Sequence, residues 1–392
     1  MEFKTSEKSG QKIEQFADMG LEPILLTCLD KMKISKPTSV QSESIGLTLK
    51  GEDLIGVAQT GSGKTLAYAL PTLTRLLQKP DSRALVLTTS QETADQVFRV
   101  FTSLIEDLSV SHCLVTAGQP GAKQDSQLKK VPRLIVATPG RLSDHLNRNK
   151  LLLKGLEILV IDEADRMLDL GFEPQLQFIQ STLRGARQTL MFAATFSPKA
   201  EAIAKIFMTQ EPYMIRSAAA ETPVSTLAQR VLFLTAAQKN NRLVDELAKI
   251  KGSVLIFTES KESCVAVGRF LTDRGLSCDF VHGDMNPGHR NRVVREFREK
   301  QIQVMIATDL HSRGLDIPHI DTIINFDLPY KAEDFLHRIG RTARAEREGN
   351  AITFITPADG RSYRKIKNYL QGASEETLAS SFAFVDRRPA SR

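Results

Sequence analysis

The feature that most constrains this chain is a glycine-bearing loop between a short apolar run and a segment with helical apolar spacing. The apolar run is Leu54–Val57, glycines stand at 61 and 63, and the helical spacing covers residues 66–77. A strand, a glycine loop and a helix in this order are typical of a phosphate-binding loop. Glycines let backbone N–H groups turn toward an anion, and the helix adds its N-terminal donors and the positive end of its dipole. The stretch predicts a nucleotide site.

Two side chains at the start of the predicted helix suit a nucleotide with its metal ion. Lys64 would reach the β- and γ-phosphates, and the Thr65 hydroxyl would hold Mg²⁺. The loop residues expected to cradle the phosphates are Thr60, Gly61, Ser62 and Gly63. The first position of the usual pattern is Ala58 rather than glycine. An ordinary Gly/Ser turn is the alternative, and it is disfavoured because Gly-Lys-Thr stands in register after the apolar run.

Apolar runs recur along both halves of the chain, with helically spaced stretches between them. In the first half they cover residues 84–87, 134–137, 156–161 and 189–194. In the second half they cover residues 231–234, 254–257, 279–281, 304–307, 322–326 and 351–355. Apolar strands that alternate with helices are typical of mostly parallel sheets covered on both faces. Both halves are therefore predicted to be α/β.

The length of 392 residues suits two domains rather than one core. Small residues with a proline at 217–226 predict a linker, which separates a first domain at 16–216 from a second at 227–371. Before the first domain, residues 1–15 are a polar segment. After the second, residues 372–392 are rich in Ser, Ala and charge and are expected to be loosely ordered. Residues 16–32 are predicted to form one amphipathic helix, and residues 37–41 to open a second.

Composition excludes several classes of protein. No apolar run approaches the roughly 18 residues that a membrane helix needs, and the polar start lacks the apolar segment of a secretory signal. Four scattered cysteines without a C-x-x-C pair disfavour structural zinc and a disulfide framework, so we expect a cytoplasmic protein. A formal charge of +6 is compatible with nucleic-acid binding but does not demonstrate it.

Three carboxylates directly follow the apolar run at 156–161. They are Asp162, Glu163 and Asp165. A buried strand rarely ends in an acidic cluster for packing reasons, because ionised carboxylates need partners. Beside a phosphate loop, Asp162 would help to hold Mg²⁺ and Glu163 would orient or deprotonate the attacking water. A solvated acidic turn is the alternative, which the phosphate loop in the same half makes less favourable.

The tetrapeptide Asp162-Glu163-Ala164-Asp165 resembles the motif that gives the DEAD-box RNA helicases their name. The resemblance runs from about Phe16 to about Tyr369, and further motifs occur in the family's order. It implies two RecA-like domains in tandem, within helicase superfamily 2. It also implies an ATP-dependent RNA helicase that binds the RNA backbone, hydrolyses ATP and unwinds short duplexes or remodels RNA–protein complexes.

The resemblance also implies roles for particular residues. Gln41 would read the adenine edge with Phe16 as the upstream aromatic, Asp316 belongs to a segment near the ATP ribose, and Arg341 and Arg344 would be arginine fingers. The residues implied to contact RNA are Thr138, Pro139, Gly140, Arg141, Thr308, Arg313 and Gly314. Those implied to link hydrolysis with unwinding are Asp165, Ala193, Thr195 and His337. The implied ligands are ATP, Mg²⁺ and RNA with little sequence readout, and we expect a monomer.

Three departures from the family pattern affect stacking on the nucleotide, RNA binding, and the coupling of ATP hydrolysis to unwinding. Ile34 stands where an aromatic residue is usual, Gln91 where an arginine is usual, and Ala193 where a serine is usual. None of them alters the predicted hydrolytic residues. Two rival functions stay open: an ATP-gated RNA clamp that remodels little, which Ala193 favours, and a DNA-directed motor, which the motif set disfavours.

Overall fold

The structure is a computed structural model that describes residues 3–5, 14–58, 61–105, 109–216, 227–309, 320–342 and 349–372. The chain divides into two compact units, Met1–Ala220 and Glu221–Arg392. The predicted linker at 217–226 and the tail from residue 373 onward lie outside the described residues. Within the described ranges, no helix combines the length and apolar character needed to cross a bilayer.

Unit 1 is built on an eight-stranded sheet in which all neighbouring strands are parallel. Its strands are β1 (Lys4–Thr5), β2 (Leu54–Val57), β3 (Arg83–Leu87), β4 (His112–Val115), β5 (Leu134–Ala137), β6 (Leu156–Ile161), β7 (Gln188–Ala193) and β8 (Tyr213–Arg216). Their order is β1-β8-β2-β7-β6-β3-β5-β4. The short β1 lies inside the polar segment expected before the first domain and pairs with β8.

Helices cover both faces of this sheet. They are α1 (Pro23–Lys31), α2 (Ser39–Leu49), α3 (Lys64–Gln78), α4 (Gln91–Ile105), α5 (Gly121–Leu128), α6 (Pro139–Arg148), α7 (Ala164–Met167), α8 (Glu173–Thr182) and α9 (Pro198–Phe207). Successive strand residues enter different cores: in β6, Ile158 and Val160 join one hydrophobic cluster, and Leu159 and Ile161 join the other. Burial on both faces explains why these strands read as continuous apolar runs.

The prediction of one continuous helix over residues 16–32 is wrong. A 3-10 helix covers Phe16–Met19, and α1 begins only at Pro23. Between them, Gly20 has a left-handed φ of 76°, a conformation that ends helices and favours glycine. Pro23 then stands at the start of α1, where its missing N–H costs no helical hydrogen bond.

Unit 2 contains a six-stranded sheet, again with parallel neighbours, in the order β11-β12-β10-β13-β14-β9. Its strands are β9 (Leu227–Phe233), β10 (Val254–Thr258), β11 (Cys278–Val281), β12 (Val304–Thr308), β13 (Thr322–Asn325) and β14 (Gly349–Ile355). Its described helices are α10 (Lys239–Leu247), α11 (Lys261–Thr272), α12 (Pro287–Arg298), α13 (Ala332–Ile339) and α14 (Gly360–Gly372). The prediction of parallel α/β sheets in both halves is confirmed.

Candidate nucleotide and RNA sites

Three segments with predicted roles meet at one edge of the sheet in unit 1. Strand β7 lies between β2 and β6 in the sheet order. Because all three strands are parallel, their carboxyl ends point to the same edge, where such sheets bind ligands. The phosphate loop follows β2, the acidic cluster follows β6, and residues 193–195 end and follow β7.

The phosphate loop needs glycine at two positions. Gly61 and Gly63 have left-handed φ angles of 85° and 89°. At Gly63 a Cβ atom would lie 2.4 Å from the Gln41 amide nitrogen, so a side chain there would displace that amide and would also strain the backbone. Lys64, the first residue of α3, donates from Nζ to the Ala58 carbonyl over 2.5 Å. Thr60 lies outside the described residues.

Gln41 connects the start of α2 to this loop. Its side chain is buried, its Nε2 donates to the Gly63 carbonyl over 2.9 Å, and its Oε1 accepts from the Thr38 backbone N–H over 2.9 Å. The second of these bonds is part of a capping box at the start of α2. Phe16 is only 4% exposed and belongs to a hydrophobic cluster. The adenine-reading role of both residues stays a prediction.

Asp162 is buried at the end of β6 and is held by two donors. Tyr68 Oη donates to its Oδ2 over 2.9 Å, and the Glu163 backbone N–H donates to its Oδ1 over 2.9 Å. Burial and the neighbouring Glu163 charge raise the pKa of Asp162 to about 6, against the opposing charge of Lys64. Sequence reasoning missed Tyr68, although its position four residues after Lys64 places both on one face of α3.

Glu163 is fixed in orientation by residues of its own unit. Arg166 donates from Nη1 to both of its carboxylate oxygens over 3.0 Å, and the Thr89 hydroxyl also donates to it. Its backbone is left-handed, with a φ of 54°, which is rare for a non-glycine residue and concentrates at functional sites. Arg166 was missed from the sequence because nothing in the local pattern distinguishes it from a helix-face arginine.

The coupling residues of unit 1 form a second buried contact. Asp165 Oδ2 accepts from the Thr195 backbone N–H over 3.0 Å and from its hydroxyl over 3.2 Å. Ala193 is fully buried at the end of β7, and its carbonyl accepts from the Ala58 N–H over 3.0 Å. Asp165 Oδ1 and Ser62 Oγ belong to a larger set of buried side-chain atoms that have no hydrogen-bond partner among the described residues. Such atoms need ligand or water partners, which fits a polar site that takes phosphates and a cation.

The predicted RNA-contact residues of unit 1 open helix α6. Thr138 is the residue before the helix, followed by Pro139, Gly140 and Arg141. Thr138, Gly140 and Arg141 border an open cavity of about 660 Å³. Its other walls include Thr89, Gln91, Phe172 and Phe178. The start of α6 therefore lies beside an accessible groove.

In unit 2 the described part of the predicted set is smaller. Thr308 ends β12, His337 lies in the last turn of α13, and Arg341 follows that helix at 7% exposure. Arg313, Gly314, Asp316 and Arg344 lie outside the described residues. Arg338 is buried and makes two hydrogen bonds, of 2.5 and 2.6 Å, to the Asp309 carboxylate. That bidentate contact holds the Arg338 side chain in place, so we interpret Arg338 as a structural residue.

Two parallel α/β units, the first with a phosphate loop beside buried carboxylates, define a nucleoside triphosphatase of the RecA-like class. The DEAD/DEAH box helicase family matches residues 38–203, and the helicase conserved C-terminal domain matches residues 238–346. The chain belongs to the DEAD-box family of ATP-dependent RNA helicases. It is an RNA-dependent ATPase that binds ATP and RNA.

Relatives and solved structures agree with this family. The chain is 39% identical to the ATP-dependent RNA helicase DDX47 of Drosophila melanogaster, over 90% of this chain and 70% of the relative. It is also 39% identical to the ATP-dependent rRNA helicase rrp3 of Aspergillus niger, over 91% of this chain and 77% of the relative. The solved structure of S. cerevisiae Dbp5 bound to RNA and ADP BeF3 aligns with a TM-score of 0.79 at 29% identity, covering 92% and 93% of the two chains.

Proposed function

We propose that Lys64 and Glu163 carry the hydrolytic step in this helicase. Lys64 stands at the start of α3, where its ammonium group faces the phosphates, and Glu163 orients or deprotonates the attacking water. The observation that supports this most is the meeting of the phosphate loop and the acidic cluster at the carboxyl edge of one sheet. The contacts of Glu163 with Arg166 and Thr89 hold its carboxylate in one orientation.

Thr65 and Asp162 are the residues we assign to Mg²⁺. A hydroxyl and a carboxylate are oxygen ligands of the kind that this hard cation prefers. When bound, the cation would neutralise charge on the β- and γ-phosphates. Tyr68 supports the assignment because it holds one oxygen of Asp162 in place.

Nucleotide binding is assigned to a further set of residues. The backbone of Thr60, Gly61, Ser62 and Gly63 would cradle the phosphates, Gln41 and Phe16 would select adenine, and Asp316 would contact the ribose. Gln41 is supported by its direct bond to the phosphate loop. Its amide uses one of two N–H donors on the Gly63 carbonyl and one of two acceptor positions on the Thr38 N–H, which leaves one donor and one acceptor for an adenine edge.

RNA contacts are assigned to the start of α6 and to unit 2. Thr138 to Arg141, together with Thr308, Arg313 and Gly314, would bind phosphates and 2′-hydroxyls rather than base edges. Arg341 and Arg344 would place guanidinium groups on the transferred phosphate, whose equatorial oxygens gain negative charge during the reaction. His337, Asp165, Ala193 and Thr195 would link that step to the RNA.

The RNA clamp is the second candidate function, and Ala193 favours it. Its side chain is a buried methyl group, which neither donates nor accepts a hydrogen bond. Against it, Thr195 keeps its hydroxyl on Asp165. We therefore infer that short RNA duplexes are separated, though inefficiently, and that Ala193→Ser raises unwinding per ATP more than it raises hydrolysis.

A strand-separation assay run beside an ATPase assay on the same preparation distinguishes the two functions. The rrp3 relative is named an rRNA helicase, so a short duplex of ribosomal sequence is a suitable first substrate. We expect slow separation that depends on ATP. RNA-stimulated hydrolysis and tight ATP-dependent RNA binding without any separation would establish the clamp instead.

A cytoplasmic location and a monomeric state stay proposals. The four cysteines carry free thiols, which supports a reducing compartment. Imaging of a tagged chain would test the location, and light scattering on the purified chain would test the oligomeric state. A concentration-dependent mass of two chains would contradict the monomer.

A further inference from the structure

The Gln124 side chain on α5 lies at the centre of a buried hydrogen-bond network behind the start of α6. It is fully buried, and its Nε2 donates to the Thr116 carbonyl over 2.7 Å and the Gln119 carbonyl over 3.1 Å. Only the amide nitrogen can donate to two carbonyls, so these bonds fix the orientation of the amide. Its oxygen Oε1 therefore faces away from the two carbonyls.

Gln124 Oε1 lies between two nitrogens of α6. Arg141 Nε donates to it over 3.2 Å, and His145 Nε2 lies 2.9 Å from it. The His145 ring is itself buried, and its Nδ1 lies 2.9 Å from an Asp125 carboxylate oxygen. Thr116, Gln119 and Arg141 use three of the four hydrogen-bonding positions of the Gln124 amide, and the fourth faces His145 Nε2, so the amide that holds Arg141 is fixed in place.

The other side of the Arg141 guanidinium lies against a glycine. A Cβ atom at Gly121, the first residue of α5, would be 2.6 Å from Arg141 Nη2, closer than real contacts allow. Asp144 adds a longer contact of 3.5 Å to Nη1. The Arg141 side chain is consequently only 19% exposed, although it borders the open groove beside α6.

We propose that Gly121 and Gln124 are positioning residues for RNA binding, because together they form a seat that sets the direction of the Arg141 guanidinium. The inference rests on the proposed contact of Arg141 with the RNA backbone. A long arginine side chain loses rotamer freedom when it binds, so a seat that orders it beforehand strengthens RNA binding without touching RNA. Neither residue contributes to nucleotide binding or to the hydrolytic step.

Gly121→Ala is the most direct test, since it removes no hydrogen bond and the added methyl group meets only the far end of a flexible side chain. We expect the RNA concentration for half-maximal ATPase stimulation to rise about tenfold, the scale of losing one hydrogen bond between the displaced Arg141 and an RNA phosphate. The turnover at saturating RNA and the KM for ATP should stay unchanged. Gly46→Ala is the matched control, because a Cβ there meets nothing within 4 Å.

Gln124→Met gives a second test, with Gln127→Met on the same helix as its control. Combining Gln124→Met with Arg141→Ala forms a double-mutant cycle. We expect each single variant to raise the RNA concentration for half-maximal ATPase stimulation. The double variant should need no more RNA than Arg141→Ala alone. Thermal unfolding of every variant shows whether the fold is kept, and Gly121→Ala suffices if Gln124→Met does not fold.

The outcomes separate this inference from the function on which it rests. If Arg141→Ala leaves the RNA dependence unchanged, the RNA contact proposed for Arg141 is wrong. If Arg141→Ala weakens RNA dependence while Gly121→Ala behaves like Gly46→Ala, only the seat is wrong. Additive losses in the cycle would also overturn the seat, because they would show that Gln124 acts independently of Arg141.

Discussion

Glu163 and Lys64 are held in different ways within one site. The Glu163 carboxylate is held by Arg166 and Thr89, so its direction is set by the protein. The Lys64 ammonium group bonds to the backbone of its own loop, at the Ala58 carbonyl. These placements are compatible with the roles proposed above, the hydrolytic step for Glu163 and phosphate binding for Lys64.

Substitution should separate these two tasks. Glu163→Gln should keep ATP affinity and lower turnover about a hundredfold or more, because a positioned base is lost. Lys64→Ala should weaken both ATP binding and turnover, since a charge that faces the phosphates is removed. Calorimetric titration and steady-state ATPase assays measure the two effects, with the helix-face variant Glu173→Gln as control. Hydrolysis at the wild-type rate by Glu163→Gln would disprove its role.

Tyr68 is the supporting residue whose contribution is easiest to isolate. Tyr68→Phe removes only the hydroxyl that donates to Asp162 and leaves a buried carboxylate oxygen without that partner. We expect the free energy of unfolding of unit 1 to fall by about 1.5–3 kcal/mol, as for a hydrogen bond to a charged group. Denaturation in urea measures it, with Tyr213→Phe in strand β8 of the same unit as control. Equal losses of unfolding free energy in both variants would show that the hydrogen bond from Tyr68 to Asp162 adds no stability of its own.

At the scale of elements, α10 of unit 2 is anchored to β9 by a buried acid. Glu246 has no exposed side-chain surface and binds Arg230 over 2.6 Å, Arg242 over 2.8 Å and Lys249 over 3.0 Å. Burial alone would raise the pKa of Glu246, but the bonds from Arg230 and Lys249 outweigh it and lower the pKa below the ordinary glutamate value. Ionisation of Glu246 therefore stabilises the folded unit.

This anchor predicts a pH dependence of stability with a definite sign. Because the folded-state pKa is lowered, the stabilisation is complete above the ordinary pKa of about 4.3 and is lost as the pH falls through the folded-state value. Glu246→Gln should lower the free energy of unfolding of unit 2 by about 2 kcal/mol at pH 7. This difference between the original chain and the variant should become smaller as the pH falls. Hydrogen exchange of α10 and β9 peptides in urea measures it, with exposed Glu299→Gln as control. A difference that grows on acidification would contradict the account.

Elements with strong local patterns were predictable, and those set by context were not. The runs at 134–137 and 156–161 coincide with β5 and β6 because strands buried on both faces must be continuously apolar. Strands β1, β4 and β8 were missed. β1 and β4 lie at the two sheet edges, and the half-buried β8 carries Tyr213 and Arg216 among its four residues. Their extended structure comes from pairing with a neighbour rather than from their own pattern.

For the whole molecule, sequence analysis predicted the α/β architecture of both units and the chain segments of the site. It did not predict the contacts that hold the site together. Tyr68 and Asp162 are 94 positions apart, and Gln124 and Arg141 are 17 apart, so no local pattern records either bond. Such buried polar pairs are specified only by the sheet order, which places distant segments side by side.

The central claim, RNA-dependent ATP hydrolysis, is tested most directly by phosphate release from the full chain with single-stranded RNA or DNA of one sequence. Glu163→Gln supplies the blank for contaminating ATPase activity. RNA should stimulate hydrolysis, and DNA should not, because the proposed contacts include 2′-hydroxyls. RNA stimulation should also fall steeply as salt rises, since phosphate contacts release counterions. Equal stimulation by DNA, or no stimulation by either polymer, would contradict the account.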